Sequence, residues 1–126
     1  MVSIRQHHIS IKTALSGINW AFKTQPNFRV HTILSLVVIL LGLSLKVSFI
    51  EMTILTLAIV FGLGVEMVNT SIESLTDLIT TKWHVQAKIA KDVSAGMMLL
   101  VAFGTVLVAT LIFIPRIWSL FTSSIF

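Results

Sequence analysis

The sequence contains one stretch of 22 residues without a charged side chain, Val93 to Ile114, and this stretch constrains the fold more than any other feature. A helix needs about 20 predominantly apolar residues to cross the hydrocarbon core of a bilayer. Pro115 and Arg116 follow the stretch and predict the helix end, and Trp118 falls at the expected depth of the membrane interface. We therefore predict a transmembrane helix over about residues 87–118.

Two shorter apolar runs precede this stretch, Thr32–Leu45 and Met52–Val65. Each is shorter than a perpendicular span requires, but long side chains at the helix ends can reach the interface and make up the difference. Residues 46–51 form a short polar connection between the runs, which together predict a helical hairpin. The predicted transmembrane helices cover about residues 28–48 and 51–80.

Composition also predicts a membrane protein, because 56% of the 126 residues are hydrophobic, 11% are charged and the mean hydropathy is +0.98. A chain of this length forms one domain of a few helices, which is too small to enclose two large ligands in its own core. A cleft shared between subunits is therefore expected. The absence of cysteine excludes disulfides and thiolate metal sites. The basic residues do not cluster with aromatic residues, which argues against a nucleic-acid partner.

The distribution of basic residues predicts the orientation of the chain in the membrane. Most of them lie before the first apolar run or between the second and third runs, namely Arg5, Lys12, Lys23, Arg29, Lys82, Lys88 and Lys91. By the positive-inside rule, the N-terminus and the second loop face the cytoplasm, and the first loop and the C-terminus face outwards. The first thirty residues lack the features of a signal peptide, so we expect the N-terminus to be retained.

Residues 1–25 are predicted to form an amphipathic helix in the membrane interface. Apolar residues recur on one helical stripe with basic residues about a quarter-turn away; the stripe is Ile4, Ile11, Leu15, Ile18 and Phe22, and the flank is Arg5, Lys12 and Lys23. This arrangement favours a membrane surface over the alternative, a soluble helix packed on another element. Pro26 predicts a break before the first span.

Three of the five acidic residues, Glu66, Glu73 and Asp77, lie within twelve positions at the end of the second span. On a helix that turns about 100° per residue they fall within about 40° of one another, with Asn69 beside them. We call these four residues the acidic stripe. Carboxylates at the edge of a bilayer lose hydration and repel each other, so a compensating cation is expected. Mg²⁺ suits this stripe, because it takes one or two protein carboxylates together with substrate phosphates.

An alternative interpretation makes Glu73 and Asp77 a solvated helix end, paired with Lys82 or Lys88. Glu66 is deeper and flanked by apolar residues, and ionisable groups at membrane depth are functional by default.

A second polar patch lies just before the third span, where Lys88, Lys91 and Asp92 share a helical face and Ala95 and Gly96 follow one turn later. Lysine can bind phosphate oxygens as a point charge, and small residues permit close approach. The alternative is that both lysines are membrane anchors. Together with the acidic stripe, the patch supplies the metal site, phosphate-binding lysine and buried carboxylate that phosphoryl transfer requires.

Other candidate motifs are weaker. The sequence has no glycine-rich Walker loop, and Gly62 and Gly64 within an apolar run indicate helix packing. The four histidines, His7, His8, His31 and His84, have no metal-ligand spacing and are interpreted as interfacial polar residues.

Three motifs resemble the prokaryotic diacylglycerol kinase and undecaprenol kinase family. They are Glu66-Met-Val-Asn69-Thr-Ser-Ile-Glu73-Ser-Leu-Thr-Asp77, then Ala90-Lys91-Asp92, then Ser94-Ala95-Gly96. The resemblance implies an all-α integral membrane protein with one lipid-kinase domain over residues 1–126, forming a homotrimer of three-span subunits in the bacterial cytoplasmic membrane. It also implies composite active sites at subunit interfaces, with ATP and Mg²⁺ held on the cytoplasmic side.

The resemblance assigns roles to the matching positions. It makes Glu66 the general base for the lipid hydroxyl, Glu73 a metal ligand that also contacts ATP, and Asn69 a support of the site. The positions it places near ATP are Thr13, Asp77, Lys82, Trp83, His84, Lys91 and Asp92, and those near the substrate are Arg29 and Ala95. Gln25 stands where the family usually has a second metal-binding glutamate. Glutamine supplies a carbonyl oxygen without charge, so weaker metal binding and weaker activity are expected.

The lipid substrate is predicted less directly than the reaction. His31 and the loop Thr81-Lys82-Trp83-His84 resemble the undecaprenol kinases more than the diacylglycerol kinases, so undecaprenol is favoured. Two alternatives remain open: a small multispan transporter in which Glu66 and Glu73 bind protons or cations, and an inactive structural subunit, because of Gln25.

Overall fold

The computed structural model describes the backbone of residues 4–123 and the side chains of residues 10–122. Within these residues the chain forms four helices: α1 (Ile4–Thr24), α2 (Pro26–Ser44), α3 (Phe49–Ile79) and α4 (Val85–Ser123). The prediction of an all-α fold is confirmed, and each predicted helix has its counterpart. Some boundaries differ, for reasons given below.

Three of the helices, α2, α3 and α4, are long and apolar enough to cross a membrane. The chain is therefore an integral membrane protein. At 1.5 Å per residue, the 31 residues of α3 extend about 46 Å and the 39 residues of α4 about 58 Å. Both exceed the roughly 30 Å hydrocarbon core of a bilayer. Each of these helices therefore carries polar segments beyond the membrane without a break.

The connection between α2 and α3 is shorter than predicted, because α2 ends at Ser44 and α3 begins at Phe49. The amide of Val47 donates to Gly42 O and the amide of Lys46 donates to Leu43 O, with Lys46 at a φ of 51°. These two bonds and the left-handed residue form a Schellman motif, which usually places glycine at the left-handed position. The prediction that α2 extends to about residue 48 is wrong for this reason.

Glu51 was predicted to lie in the connection before α3, but it belongs to the first turn of α3. Its side chain accepts a 2.6 Å hydrogen bond from the Ser48 amide, and the Ser48 hydroxyl accepts one of 3.3 Å from the Glu51 amide. This capping box satisfies two of the amides that a helix start leaves unpaired.

The helix α4 also extends beyond the predicted end at about residue 118, since it continues through Pro115 and Arg116 to Ser123. A proline removes one intrahelical hydrogen bond, and membrane helices tolerate this where neighbouring elements support them. Here the Arg116 guanidinium donates to Leu45 O and Lys46 O at 3.4 and 3.2 Å and forms an ion pair with Glu51. Arg116 thereby joins α4 to the turn between α2 and α3.

The helix α3 lies between α2 and α4 and packs against both. Gly42 of α2 permits close contact, because a Cβ atom there would lie 2.9 Å from Met52 Cε. Most apolar side chains of the three long helices remain exposed in the single chain. Their exposure leaves large surfaces for lipid or for other subunits.

The helix α1 covers Ile4–Thr24 of the predicted residues 1–25, and Gln25 separates it from Pro26. Of its apolar stripe, Ile11, Leu15, Ile18 and Phe22 are exposed, and Ala21 makes the buried contact. The side chains of Ile4, Arg5, His7 and His8 lie outside the described residues. The four described residues of the stripe therefore keep much of their apolar surface exposed in this chain.

Candidate active site

The acidic stripe lies along the half of α3 that leads to the turn between α3 and α4. Glu66 is 3% exposed and Asn69 is 7% exposed, whereas Glu73 is half-buried and Asp77 is exposed. Glu66 lies 17 residues, or about 26 Å, along α3 from Phe49. If α3 enters the membrane near Phe49, Glu66 lies close to the opposite edge of the hydrocarbon core. In that arrangement the stripe would run from the membrane edge towards water, in agreement with the rising exposure from Glu66 to Asp77.

A hydrogen-bonded chain of side chains connects the stripe to α4. Asn69 Nδ2 donates to Glu73 Oε1 at 3.2 Å, and the buried Ser94 hydroxyl donates to Asn69 Oδ1 at 2.6 Å. The contact between Asn69 and Glu73 places both on one helix face, as their spacing predicts. Ser94 belongs to the motif Ser94-Ala95-Gly96, but the sequence predicted no role for it.

His31 of α2 was interpreted as an interfacial residue, but it belongs to the surroundings of Glu66. His31 and Glu73 both lie close enough to Glu66 to interact with it electrostatically. His31 is half-buried and lies 35 positions away in the sequence, on a different helix. No local spacing could have found it, because the proximity arises only when α2 packs on α3.

Two ion pairs connect the acidic and basic residues near the α3–α4 turn. Asp77 pairs with Lys91, and Asp92 pairs with Lys88. The interpretation of Asp77 as paired with Lys82 or Lys88 is therefore wrong, since its partner is Lys91. All four side chains are substantially exposed, and exposed pairs of this kind contribute little stability. Both lysines can therefore exchange these carboxylates for other anions at small cost.

A polar cleft of about 270 Å³ opens at this turn. It brings together six of the predicted ATP-binding residues, which are Asp77, Lys82, Trp83, His84, Lys91 and Asp92. His84 Nδ1 accepts a 3.2 Å hydrogen bond from the Gln86 amide at the start of α4. A neutral imidazole in this arrangement carries its proton on Nε2, which can donate to a ligand. The cleft is slightly smaller than the usual range of ligand pockets.

The remaining predicted positions lie outside α3. Thr13 is exposed on α1, Arg29 on α2 and Ala95 on α4. Gln25 precedes the first residue of α2, and its amide donates weakly to Thr24 Oγ1 at 3.4 Å. Among residues 10–122, no hydrogen bond or ion pair connects Gln25, Arg29 or Ala95 to the stripe.

The donor set of the stripe fits Mg²⁺ but does not complete a site. Glu73 has one oxygen engaged by Asn69 and one available, and Glu66 adds a second carboxylate nearby. Mg²⁺ takes one or two carboxylates and fills its remaining positions with water and phosphate oxygens. Among the described side chains, no group of three or more His, Asp or Glu residues lies together as a metal site. Substrate phosphates would have to supply the other ligands.

An apolar groove of about 310 Å³ runs between α2, α3 and α4. His31 contributes to its lining, and small residues form part of its walls, among them Ala58, Gly62 and Ala102. The groove therefore combines an apolar interior with a residue that lies near Glu66.

Comparison with known proteins identifies one family and several related lipid kinases. Residues 12–113 match the family described as prokaryotic diacylglycerol kinase. The chain is 37% identical over 113 residues to a diacylglycerol kinase of Synechocystis sp., covering 89% of this chain and 65% of that protein. It is also 37% identical over 101 residues to an undecaprenol kinase of Bacillus subtilis, covering 80% and 82%. A diacylglycerol kinase of Helicobacter pylori is 33% identical over 84 residues, covering 67% and 66%. The matched regions thus span just under two thirds of the Synechocystis and Helicobacter proteins.

Proposed function

This chain belongs to the prokaryotic diacylglycerol kinase family, and we propose that it transfers the γ-phosphoryl group of ATP to the hydroxyl group of a membrane lipid. The observation that carries the proposal is the placement of two chemical environments on one helix. Glu66 is buried near the membrane edge, and the polar cleft at Asp77 lies 11 residues, or about 16 Å, further along α3. This arrangement lets an acceptor approach from the lipid and a nucleotide from water.

In the proposed reaction, Glu66 accepts the proton of the lipid hydroxyl as that oxygen forms a bond to the γ-phosphorus. The bond between the γ-phosphorus and the bridging oxygen breaks, and ADP leaves with the electron pair. Lys88 and Lys91 exchange their carboxylate partners for phosphate oxygens, and Asn69 holds Glu73 in place. Glu73 would hold Mg²⁺, and the ion would neutralise phosphate charge, on which phosphoryl transfer largely depends.

The apolar groove supports a long hydrocarbon chain on the acceptor. A chain lying between α2, α3 and α4 would leave its polar end near His31 and thus near Glu66. We favour undecaprenol over diacylglycerol on the basis of His31 and the loop over residues 81–84. Overall identity does not separate the two, because relatives with either name match at 37%.

The proposed active site is completed by residues of a neighbouring subunit. The cleft of one chain is small, and Gln25 and Arg29 have no described hydrogen bond or ion pair with the stripe, so a homotrimer in which a neighbouring chain brings them to the site is proposed. The exposed apolar surfaces of α2 to α4 provide area for such an assembly. In the same proposal, α1 lies in the interface of the bacterial cytoplasmic membrane. The N-terminus then faces the cytoplasm and the C-terminus the outside.

The test is phosphorylation of undecaprenol and of diacylglycerol by purified protein in bilayers, with Mg²⁺ and labelled ATP. Glu66→Gln should lower the rate by at least 10²-fold, which is the usual lower contribution of a general base. Glu51→Gln is a matched control, because it makes the same change on the same helix about 22 Å away. Its rate per folded protein, measured well below its unfolding temperature, should stay close to that of the wild type.

The outcomes separate the alternatives. If neither lipid is phosphorylated by the wild type, the kinase proposal fails. Nucleotide-independent cation or proton flux through Glu66 would then support the transporter, and neither activity would support the structural subunit. Equal loss of activity in Glu66→Gln and Glu51→Gln would show that Glu66 has no special role.

A further inference from the structure

We propose that Ser94 is a positioning residue of the phosphoryl-transfer site, acting through Asn69 on Glu73. The inference rests on the proposed function and adds a residue to which the family resemblance gave no role. Its basis is the chain of hydrogen bonds from α4 to α3, in which Ser94 donates to Asn69 and Asn69 donates to Glu73.

Burial isolates the polar atoms of Ser94 and Asn69 from solvent. Ser94 is 3% exposed and Asn69 is 7% exposed, so bulk water does not compete for their polar atoms. A buried amide without partners is costly, and the two sides of the Asn69 amide have different requirements. Its oxygen needs a donor and its nitrogen needs an acceptor. Ser94 and Glu73 supply one each.

The Asn69 amide has two possible orientations. In the observed orientation, the Ser94 hydroxyl donates to Oδ1 and the amide nitrogen faces Glu73 Oε1. In the rotated orientation, an amide oxygen would face a carboxylate oxygen about 3.2 Å away, and two acceptors at that distance repel each other. The Ser94 hydroxyl also lies 3.1 Å from Lys91 O, to which it could donate instead. Of these two hydrogen bonds, only the one to Asn69 connects α4 to the amide.

The orientation of the amide has a consequence for Glu73. The Asn69 amide engages one carboxylate oxygen and leaves the other available, so the orientation of the amide determines how Glu73 is presented to a cation. Without the Ser94 hydroxyl, the Asn69 oxygen loses its donor and only Glu73 still holds the amide. The amide that engages Glu73 is then held less firmly, although Ser94 touches neither cation nor substrate.

The test is the affinity of Mn²⁺, used as a spectroscopic substitute for Mg²⁺, for the protein with a non-hydrolysable ATP analogue. Electron paramagnetic resonance measures free and bound Mn²⁺ directly. Ser94→Ala should weaken Mn²⁺ binding roughly tenfold, the usual effect of removing a hydrogen-bond partner behind a metal ligand. The Mg²⁺ concentration for half-maximal lipid phosphorylation should rise by a similar factor, while the KM for lipid should not change.

The control variant is Ser71→Ala on α3. Its hydroxyl donates at 2.8 Å to Met67 O of its own helix and is exposed, so the variant should bind Mn²⁺ like the wild type. The decisive comparison uses Asn69→Ala. If Ser94 acts through Asn69, then Ser94→Ala adds nothing in that background, whereas a purely structural role would lower affinity in both backgrounds.

The inference is overturned if Ser94→Ala binds Mn²⁺ as tightly as the wild type, or if its effect persists undiminished with Asn69→Ala. A wild type that binds Mn²⁺ and nucleotide but phosphorylates neither lipid would remove the proposed acceptor. The Mn²⁺ affinities would then still decide the role of Ser94. A wild type that binds no Mn²⁺ with nucleotide overturns both proposals.

Discussion

At the scale of single residues, Glu51 and Glu66 occupy two different environments of one helix, about 22 Å apart. Glu51 accepts hydrogen bonds from the Ser48 amide and from Arg116. Glu66 is buried, and its electrostatic neighbours are His31 and another carboxylate, Glu73. Strong donors engage Glu51, whereas Glu66 keeps its carboxylate available for a proton. This contrast is the physical reason for expecting chemistry at Glu66 and structural support at Glu51.

The first residue-scale prediction concerns Gln25. Gln25→Glu should lower the Mg²⁺ concentration for half-maximal activity, because a carboxylate at a metal-ligand position adds a charge that an amide lacks. We expect a change of roughly tenfold, measured by Mg²⁺ titration of lipid phosphorylation, which is the scale of a single strong interaction with a metal site. Asn27→Asp is the control, since it adds the same charge two residues away. An equal response in both variants would show that Gln25 lies away from the metal.

The acidic stripe could be predicted from the sequence, because its residues belong to one helix and helical periodicity fixes their angles. The positions of Ser94 and His31 could not, because each reaches the stripe from another helix and depends on how the helices pack. The ion pair between Asp77 and Lys91 was missed for the same reason. The sequence therefore predicts which site residues share a face of one helix, but it does not predict contacts between helices.

At the scale of elements, apolar runs predicted the existence of all three long helices, and tertiary contacts decided where they end. Pro115 is a stop signal by local rules, but Arg116 forms hydrogen bonds with the turn between α2 and α3, and α4 continues. The helix α2 stops at Ser44 through a Schellman motif whose left-handed residue is lysine, which sequence rules do not anticipate.

The Schellman motif gives a prediction at the element scale. Lys46→Gly should raise the free energy of unfolding by roughly 1 kcal/mol, because an L-residue in the left-handed region costs about that much and glycine does not. The measurement is the midpoint of thermal unfolding in detergent. Lys46→Ala is the control, since it removes the same charge and keeps the Cβ atom. A gain of stability in both variants would assign the effect to the charge and not to the backbone.

At the scale of the whole molecule, the proposed sharing of the site between subunits depends on where the candidate residues lie in one chain. The acidic stripe and the cleft belong to α3, α4 and their turn, whereas Gln25 and Arg29 belong to the start of α2 and have no described contact with the stripe. The length of the chain predicts a cleft shared between subunits, but the order of residues along a chain does not determine which subunit supplies which residue. A symmetric assembly can bring both groups together.

Mixed assemblies test this proposal. Glu66→Gln and Arg29→Ala subunits, each expected to be inactive alone, should recover activity when co-assembled. In an equal mixture about one quarter of the sites would receive an intact Glu66 from one chain and an intact Arg29 from a neighbour, since each has a probability of one half. Glu66→Gln with Glu73→Gln is the control and should stay inactive, because both positions lie on the same α3. No recovery in the first mixture would place Arg29 and Glu66 in one chain.

The unbroken course of α3 from Phe49 to Ile79 has a consequence for how the protein responds to its membrane. Because α3 carries Glu66 and also contributes Thr76 and Asp77 to the polar cleft, these residues keep their spacing when the bilayer thickens or thins. Such a change instead alters the tilt of α3 and the height of Glu66 relative to the lipid head groups. Bilayer thickness would therefore control which hydroxyl groups come within reach of Glu66, while the geometry between phosphate donor and carboxylate stays constant.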